Sequence, residues 1–268
     1  MSKYLELFKE SFNDSINEKT KLENKPYIGY SLTEGKVVYT VVPKEPTSVY
    51  QMVDLGLPSG LKWADRNVGA ATPQDNGLYF SWGNVDGHAV DENGNVIDEY
   101  SFNSTTYSTS LGGQYTGLLL DAEHDAATVN MSSDWRMPTV DETVELVENT
   151  EHYYIGDDGS VVAGPFNHET KLSKKGLNSS KLRSICFVKK GEPFDYNVRF
   201  NFIEFPFAGI CMSSFHNGGG FNGNILSSSA YGDSVINVHD LSFNTGGTLD
   251  GDNYNNRGPG MSVRGVHA

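Results

Sequence analysis

From Ser184 onward, apolar residues come in short runs such as "SICFVKK", "VRFNFIEFPFAGICMSS" and "SVINVHDLSFN", each cut off by glycine, asparagine, aspartate or serine. Runs of that length with alternating or aromatic character suit β-strands, and the interrupting residues suit turns. The pattern therefore limits the chain to a strand-rich, loop-heavy architecture. Hydrophobic residues at 37% and aromatics at 12% are enough to build a core, and 29 glycines supply the turns. A chain of 268 residues accommodates one large domain with a smaller appendage.

The first segment departs from this pattern. Tyr4, Phe8, Phe12 and Ile16, with Leu5 beside them, recur at a four-residue step through residues 3 to 22, which predicts an amphipathic helix. Its apolar stripe needs a partner surface, so these five residues are the candidate anchor. Next, Tyr27 to Leu32 and Lys36 to Val42 flank a turn-like Thr33-Glu34-Gly35 and predict a hairpin. Pro43 to Ser48 then reads as a linker. Residues 1–48 form a helix-plus-hairpin appendage for anchoring or oligomerisation, and residues 49–268 form the main domain.

In that domain, Val53, Leu55 and Leu57 predict a strand, Leu61 and Trp63 a second, and Gly77 to Asn84 a third. Residues 86 to 117 read as an extended polar surface loop. One helix is sharply signalled: Thr139 stands three residues before Glu142, the spacing of a capping box, and Val140, Val144 and Val147 with Leu146 give an apolar face to about residue 149. A weaker helix is expected around Asp121 to Thr128. The stretch "SSDWRMPTVDE" concentrates Trp135, Arg136, Pro138 and the capping box. Each has a structural role open to it, so a scaffold joint is expected there rather than an active site.

Charge and motifs exclude several functions. A net charge of −14 argues against binding nucleic acid through its phosphates. Lys171, Lys174, Lys175, Lys181 and Arg183 read as a solvated loop. The opening residues carry no long apolar stretch, so neither a signal peptide nor a membrane span is expected, and cytoplasmic synthesis follows. Cys186 and Cys211 sit in apolar runs and read as buried free thiols. Gly218, Gly220 and Gly223 match GxGxxG, yet strand-like residues follow where a nucleotide loop needs a helix. Asp91, Asn93 and Asn95 begin a calcium-loop pattern that lacks its glycine and closing glutamate. His124 is expected to hydrogen-bond locally. No cofactor, metal or catalytic residue is expected.

Four segments carry a resemblance: "VDLGLPSGLKWADRNVGA", "GLYFSWGN", "EHDAATVNMSSDWRMPTVDE" and "MSVRGV", in that order. Together they resemble the Fibrobacter succinogenes major-domain family, over residues 50 to 268. The resemblance implies an α+β, C-type-lectin-like fold of short mixed strands, one or two helices and long loops. It also implies that strands near Val53 and Val263 pair, bringing the domain's ends together. Oxidase activity does not carry over, because Cys186 and Cys211 do not match the reactive pair of the formylglycine-generating relatives. Calcium-dependent sugar binding does not either, since EPN, QPD and WND motifs are absent. Trp63-Ala64-Asp65-Arg66 stands where the family usually carries a cysteine after "WAT".

"NKPYIGYSLTEGKVVYT" resembles openings of structural proteins of Bacteroides-infecting crAss-like phages. This implies a virion surface protein: a head fibre, decoration or tail-associated adhesin, forming dimers or trimers and attached to capsid or other virion proteins through its first segment. A bacterial carbohydrate- or protein-binding surface module is the alternative. The candidate ligand-binding residues lie in two Asn-, Gly- and Ser-rich loops. Phe215, His216, Asn217, Phe221, Asn222 and Asn224 belong to the first. Asp252, Asn253, Tyr254, Asn255, Asn256 and Arg257 belong to the second. Their side chains suit adaptable hydrogen bonding to a host-surface glycan or protein.

Overall fold

A hairpin opens the described part of the chain. In the computed structural model, residues 27–33, 36–42, 50–91, 93–97, 100–102, 118–167, 181–196, 201–234 and 236–267 are described. Tyr4, Leu5, Phe8, Phe12 and Ile16, the expected anchor, lie outside them. The chain divides into two units, Met1–Val49 and Tyr50–Ala268. In the first, β1 (Tyr27–Thr33) pairs antiparallel with β2 (Lys36–Val42). Thr33 faces Lys36 across the ladder, so it belongs to the strand rather than to the turn the sequence suggested.

The second unit is mostly β-sheet with few helices. In chain order it runs through β3 (Met52–Asp54), β4 (Lys62–Ala64), β5 (Tyr79–Phe80), α1 (Ala126–Asn130) and α2 (Val140–Asn149). It continues with β6 (Thr150–Gly156), β7 (Val161–Phe166), β8 (Leu182–Lys189) and β9 (Phe202–Pro206). Then come β10 (Ile210–Met212), β11 (Phe215–Asn217), β12 (Asn222–Ala230) and β13 (Asn237–Asn244). Last are β14 (Leu249–Asn256), β15 (Met261–Ser262) and β16 (Val266–His267). The sheets order as β14-β13-β12-β15-β5, β7-β6-β8-β9 and β16-β4-β3, with β10-β11 as a separate pair.

The main core joins these layers: Leu55, Trp63, Leu146, Ile185, Phe205, Leu241 and Phe243 all pack in it. A second cluster gathers Phe80, Trp82, Met137, Leu226 and Val263 beneath α1. Helix α2 forms where its capping box predicts. The Thr139 hydroxyl accepts from the Glu142 N–H, and the Glu142 carboxylate accepts from the Thr139 N–H at 2.8 Å. Its buried face is Thr143, Leu146 and Val147 rather than a valine stripe. Thr143 can be buried because its hydroxyl donates to the carbonyls of Val140 (2.8 Å) and Gly251 (2.7 Å). Val140 and Val144 are consequently only half-buried. Helix α1 starts later than expected, because Asp125 is its cap.

Four sequence expectations need correction. The strands near Val53 and Val263 do not pair with each other. Both ends of the domain pair with β4 instead, so that Val53 and Val266 flank Trp63 from opposite sides. The polar stretch after residue 86 is not wholly surface, since Val96 and Phe102 are buried around Tyr79. The hairpin β6–β7 was not foreseen from residues 150–166. Arg183 belongs to β8 and approaches the Glu204 carboxylate at 3.3 Å rather than lying in a solvated loop.

One buried cation ties these layers together. Arg264 is fully buried; its guanidinium donates to Asn67 Oδ1 (2.9 Å), to the Ala64 carbonyl (2.9 Å) and to the Glu204 carbonyl (2.7 Å). It also lies 4.3 Å over the Phe205 ring. Burial pulls its pKa down to about 9, so it remains charged at neutral pH. Arg264→Met, which keeps the volume and removes the donors, strands three buried acceptors. The expected loss is about 3 kcal/mol or more of unfolding free energy, measured by urea denaturation. Arg264→Lys should recover only part of it, because an ammonium cannot span the same fork.

Candidate functional site

The motif-dense stretch around Trp135 proves to be a joint between elements. Arg136 forms a two-pronged ion pair with Glu142, at 2.7 and 2.5 Å, and also donates to the Met137 carbonyl. Its backbone N–H and carbonyl exchange hydrogen bonds with Val266, which adds this segment to the free side of β16. Asp125 caps α1 through the Thr128 N–H with one oxygen and accepts from the Met137 N–H with the other. The Pro138 carbonyl accepts from the Ser228 N–H at 2.7 Å. Each polar atom is thus engaged in holding α1, α2, β12 and β16 together. His124 hydrogen-bonds Asp121 at 2.6 Å, a local contact.

The first candidate loop resolves into β11, a turn and the start of β12. Phe215 and Phe221 are exposed, as are Asn217 and Asn222. His216 instead turns inward. Its Nε2 lies 3.1 Å from the Tyr79 hydroxyl and contacts the Ala208 carbonyl, to which Tyr79 also donates at 2.6 Å. Cys211 is the register partner of His216. Burial raises the Tyr79 hydroxyl and pushes the Cys211 thiol up to about 12, so neither is a nucleophile at neutral pH. Cys186 is likewise a buried thiol. Gly218 and Gly220 have positive φ in the turn, and strand β12 follows it, so no helix stands ready for a phosphate.

The second candidate loop is not a loop. Residues 249–256 form β14, the edge strand paired along β13. Its asparagines alternate in role. Asn253 and Asn255 donate to the Asp240 carboxylate at 2.9–3.1 Å, and Asn224 from β12 donates to it at 2.6 Å. Asp240 is fully buried; burial raises its pKa, and these three amides oppose that rise. Three of the twelve candidate residues therefore serve an internal carboxylate. Arg257 is also internal, stacked 4.3 Å over the Trp82 ring and donating to the Ser234 carbonyl.

Asp252, Tyr254 and Asn256 point outward from the same strand. Tyr254, 53% exposed, stacks on Tyr231, 40% exposed, with ring centroids 4.4 Å apart. His239 packs 5.0 Å from Tyr231 and meets the Asp252 carboxylate at 2.8 Å. Exposed Ile236 precedes β13 beside them. This shelf is the candidate binding surface. Tyr231, His239 and Ile236 were missed in the sequence; "SSSAYGDSVINVHD" reads there only as turn and strand. The two candidate regions do not form one surface. Asn222 and Ala230 mark opposite ends of β12, roughly 26 Å apart at strand rise.

Among the described residues, no three His, Cys, Asp or Glu side chains converge as metal ligands. Asp91 accepts from the Asn93 and Asn95 N–H groups, a local turn. No family model, curated protein or solved structure matches the chain.

Asp240→Ala should cost about 2–4 kcal/mol by leaving three amides unpartnered in the interior, read as a drop in melting temperature. Glu142 answers to pH differently. Burial works to raise its pKa, but the Arg136 guanidinium and the Thr139 N–H outweigh that and hold it below its ordinary 4.5. A carboxyl held low in the folded state contributes stability above its ordinary value and loses it as pH falls through the folded one. Acid melts from pH 5 downward should therefore be shallower in Glu142→Gln than in the wild type.

Proposed function

We propose that this chain is a non-enzymatic display protein of a bacteriophage particle, with residues 50–268 forming a C-type-lectin-like domain that binds glycan. The observation that carries the binding reading is the Tyr231–Tyr254 shelf. Two exposed, stacked phenol rings present an apolar face to a sugar ring, and Asp252, His239 and Asn256 stand beside them to meet hydroxyls. Exposed aromatic surface flanked by polar groups marks ligand sites more often than isolated apolar residues do.

Support for the lectin-like fold comes from α2 packed on short mixed sheets and from the domain's ends meeting on β4. The ordered resemblance of four segments to the Fibrobacter succinogenes major-domain family points the same way. The particle surface is favoured by the resemblance of residues 24–40 to phage structural proteins. A non-catalytic role agrees with the saturation of Asp125, Glu204 and Asp240 by structural hydrogen bonds, and with the raised Tyr79 and Cys211.

The test is a binding screen of the full chain against bacterial capsular and lipopolysaccharide glycans. Tyr254→Ala is expected to weaken the best ligand by about tenfold, near the 1.4 kcal/mol of one lost ring contact. Phe221→Ala, at the far end of β12, should leave it unchanged. Equal binding by wild type and Tyr254→Ala would remove the shelf as the site.

A further inference from the structure

We propose that a second site, the pocket between α2, β6 and β14, binds a small organic cation of the alkylammonium class. The pocket has a volume of about 320 Å³, at the small end of ligand cavities. Val144 and Val147 of α2 and Leu249 of β14 line its apolar side. Half-burial of Val144, left over when Thr143 took the buried position on α2, is what exposes that aliphatic wall.

Its aromatic side is Tyr154 and Phe166, packed edge to face with centroids 6.2 Å apart. Burial pushes the Tyr154 hydroxyl up to about 12, so the ring stays neutral. Around the mouth stand Glu148, Asp250 and Asp252, all exposed. Asp252 is shared with His239 and one Asp250 oxygen accepts from the Asp252 N–H at 3.0 Å, which leaves Glu148 and the other Asp250 oxygen to face a ligand's charge. Among the described residues, no lysine or arginine lines the cavity, and His152 and Asn167 complete its polar lining.

This composition selects among ligand classes. An anion meets three carboxylates and, among the described residues, no lysine or arginine. A neutral apolar molecule gains the walls, yet it covers acidic groups that prefer water. A sugar finds His152 and Asn167 on the inner surface but makes no use of the negative charge at the mouth. A metal ion needs tightly converging ligands, and no such group forms among the described residues. A diffuse organic cation satisfies both halves at once: methyl or methylene groups lie on valine, leucine and ring faces, and the positive charge is held by carboxylates and π-systems. The site shares Asp252 with the edge of the tyrosine shelf, but its charge comes from Glu148 and Asp250 and it does not depend on a ligand there.

The test titrates the full chain with choline and with n-butylammonium at constant ionic strength. The uncharged choline isostere 3,3-dimethyl-1-butanol is the control, and binding is followed by calorimetry and ligand-observed NMR. At least one ammonium is expected to bind near about 1 mM or tighter, and the isostere about tenfold or more weaker. The Glu148→Gln/Asp250→Asn double variant should weaken the cation by a similar factor and leave the isostere unchanged. Absence of binding by both cations up to tens of millimolar would overturn the proposal. So would equal affinity for choline and its isostere in the wild-type chain, a comparison that needs no variant to fold.

Discussion

The guanidinium of Arg264 is the constraint on which the main unit depends. It reaches the loop after β4 through Asn67, the end of β4 through Ala64, and β9 through the Glu204 backbone. Removing a charge from water is costly, and only a full set of acceptors at good distance offsets it. The chain must therefore bring two remote segments, residues 64–67 and β9, to one point before the arginine can be buried. That demand links the terminal sheet to the four-stranded sheet more specifically than apolar packing alone, which tolerates sliding.

Asp240 poses the same problem with opposite sign and solves it with amides. Its partners come from β12 and β14, so the carboxylate sits across the centre of the β12-β13-β14 ladder. This explains why a strand as polar as "LDGDNYNN" pairs along β13 on both sides of a register shift at Gly251-Asp252. Asparagine disfavours strands by itself. Here alternate side chains satisfy an internal acid, and the others face water.

That arrangement also separates what could be read from the sequence from what could not. Capping at Thr139, the paired strands Tyr27–Thr33 and Lys36–Val42 and the strands around Trp63 and Phe205 rest on local rules, and they stand in the structure nearly where the residues put them. The joint role of Arg136 was legible too, because a carboxylate six residues on lies within reach once α2 forms. Polar strands β12 and β14 were not, since their state is set by partners far along the chain. The same distance hid the candidate shelf: Tyr231 and Tyr254 are 23 positions apart, and only the β12–β13 and β13–β14 registers together bring them side by side. His216, Asn224, Asn253, Asn255 and Arg257 looked like surface residues because their composition suits loops, whereas their partners lie inside.

The terminal sheet has a mechanical consequence. Strands β3 and β16 flank β4, both antiparallel to it, and so run in the same direction. The chain enters β3 beside Ala64 and leaves β16 beside Lys62, at opposite ends of β4. Tension drawn between residues 50 and 267 would pull the two outer strands lengthwise in opposite directions. Load would fall on the ladder bonds together, in shear, instead of peeling them one at a time. The Arg136 backbone clasps the far side of β16 and shares that load. Load applied between the domain's two ends would thus be met by the seam where those ends join.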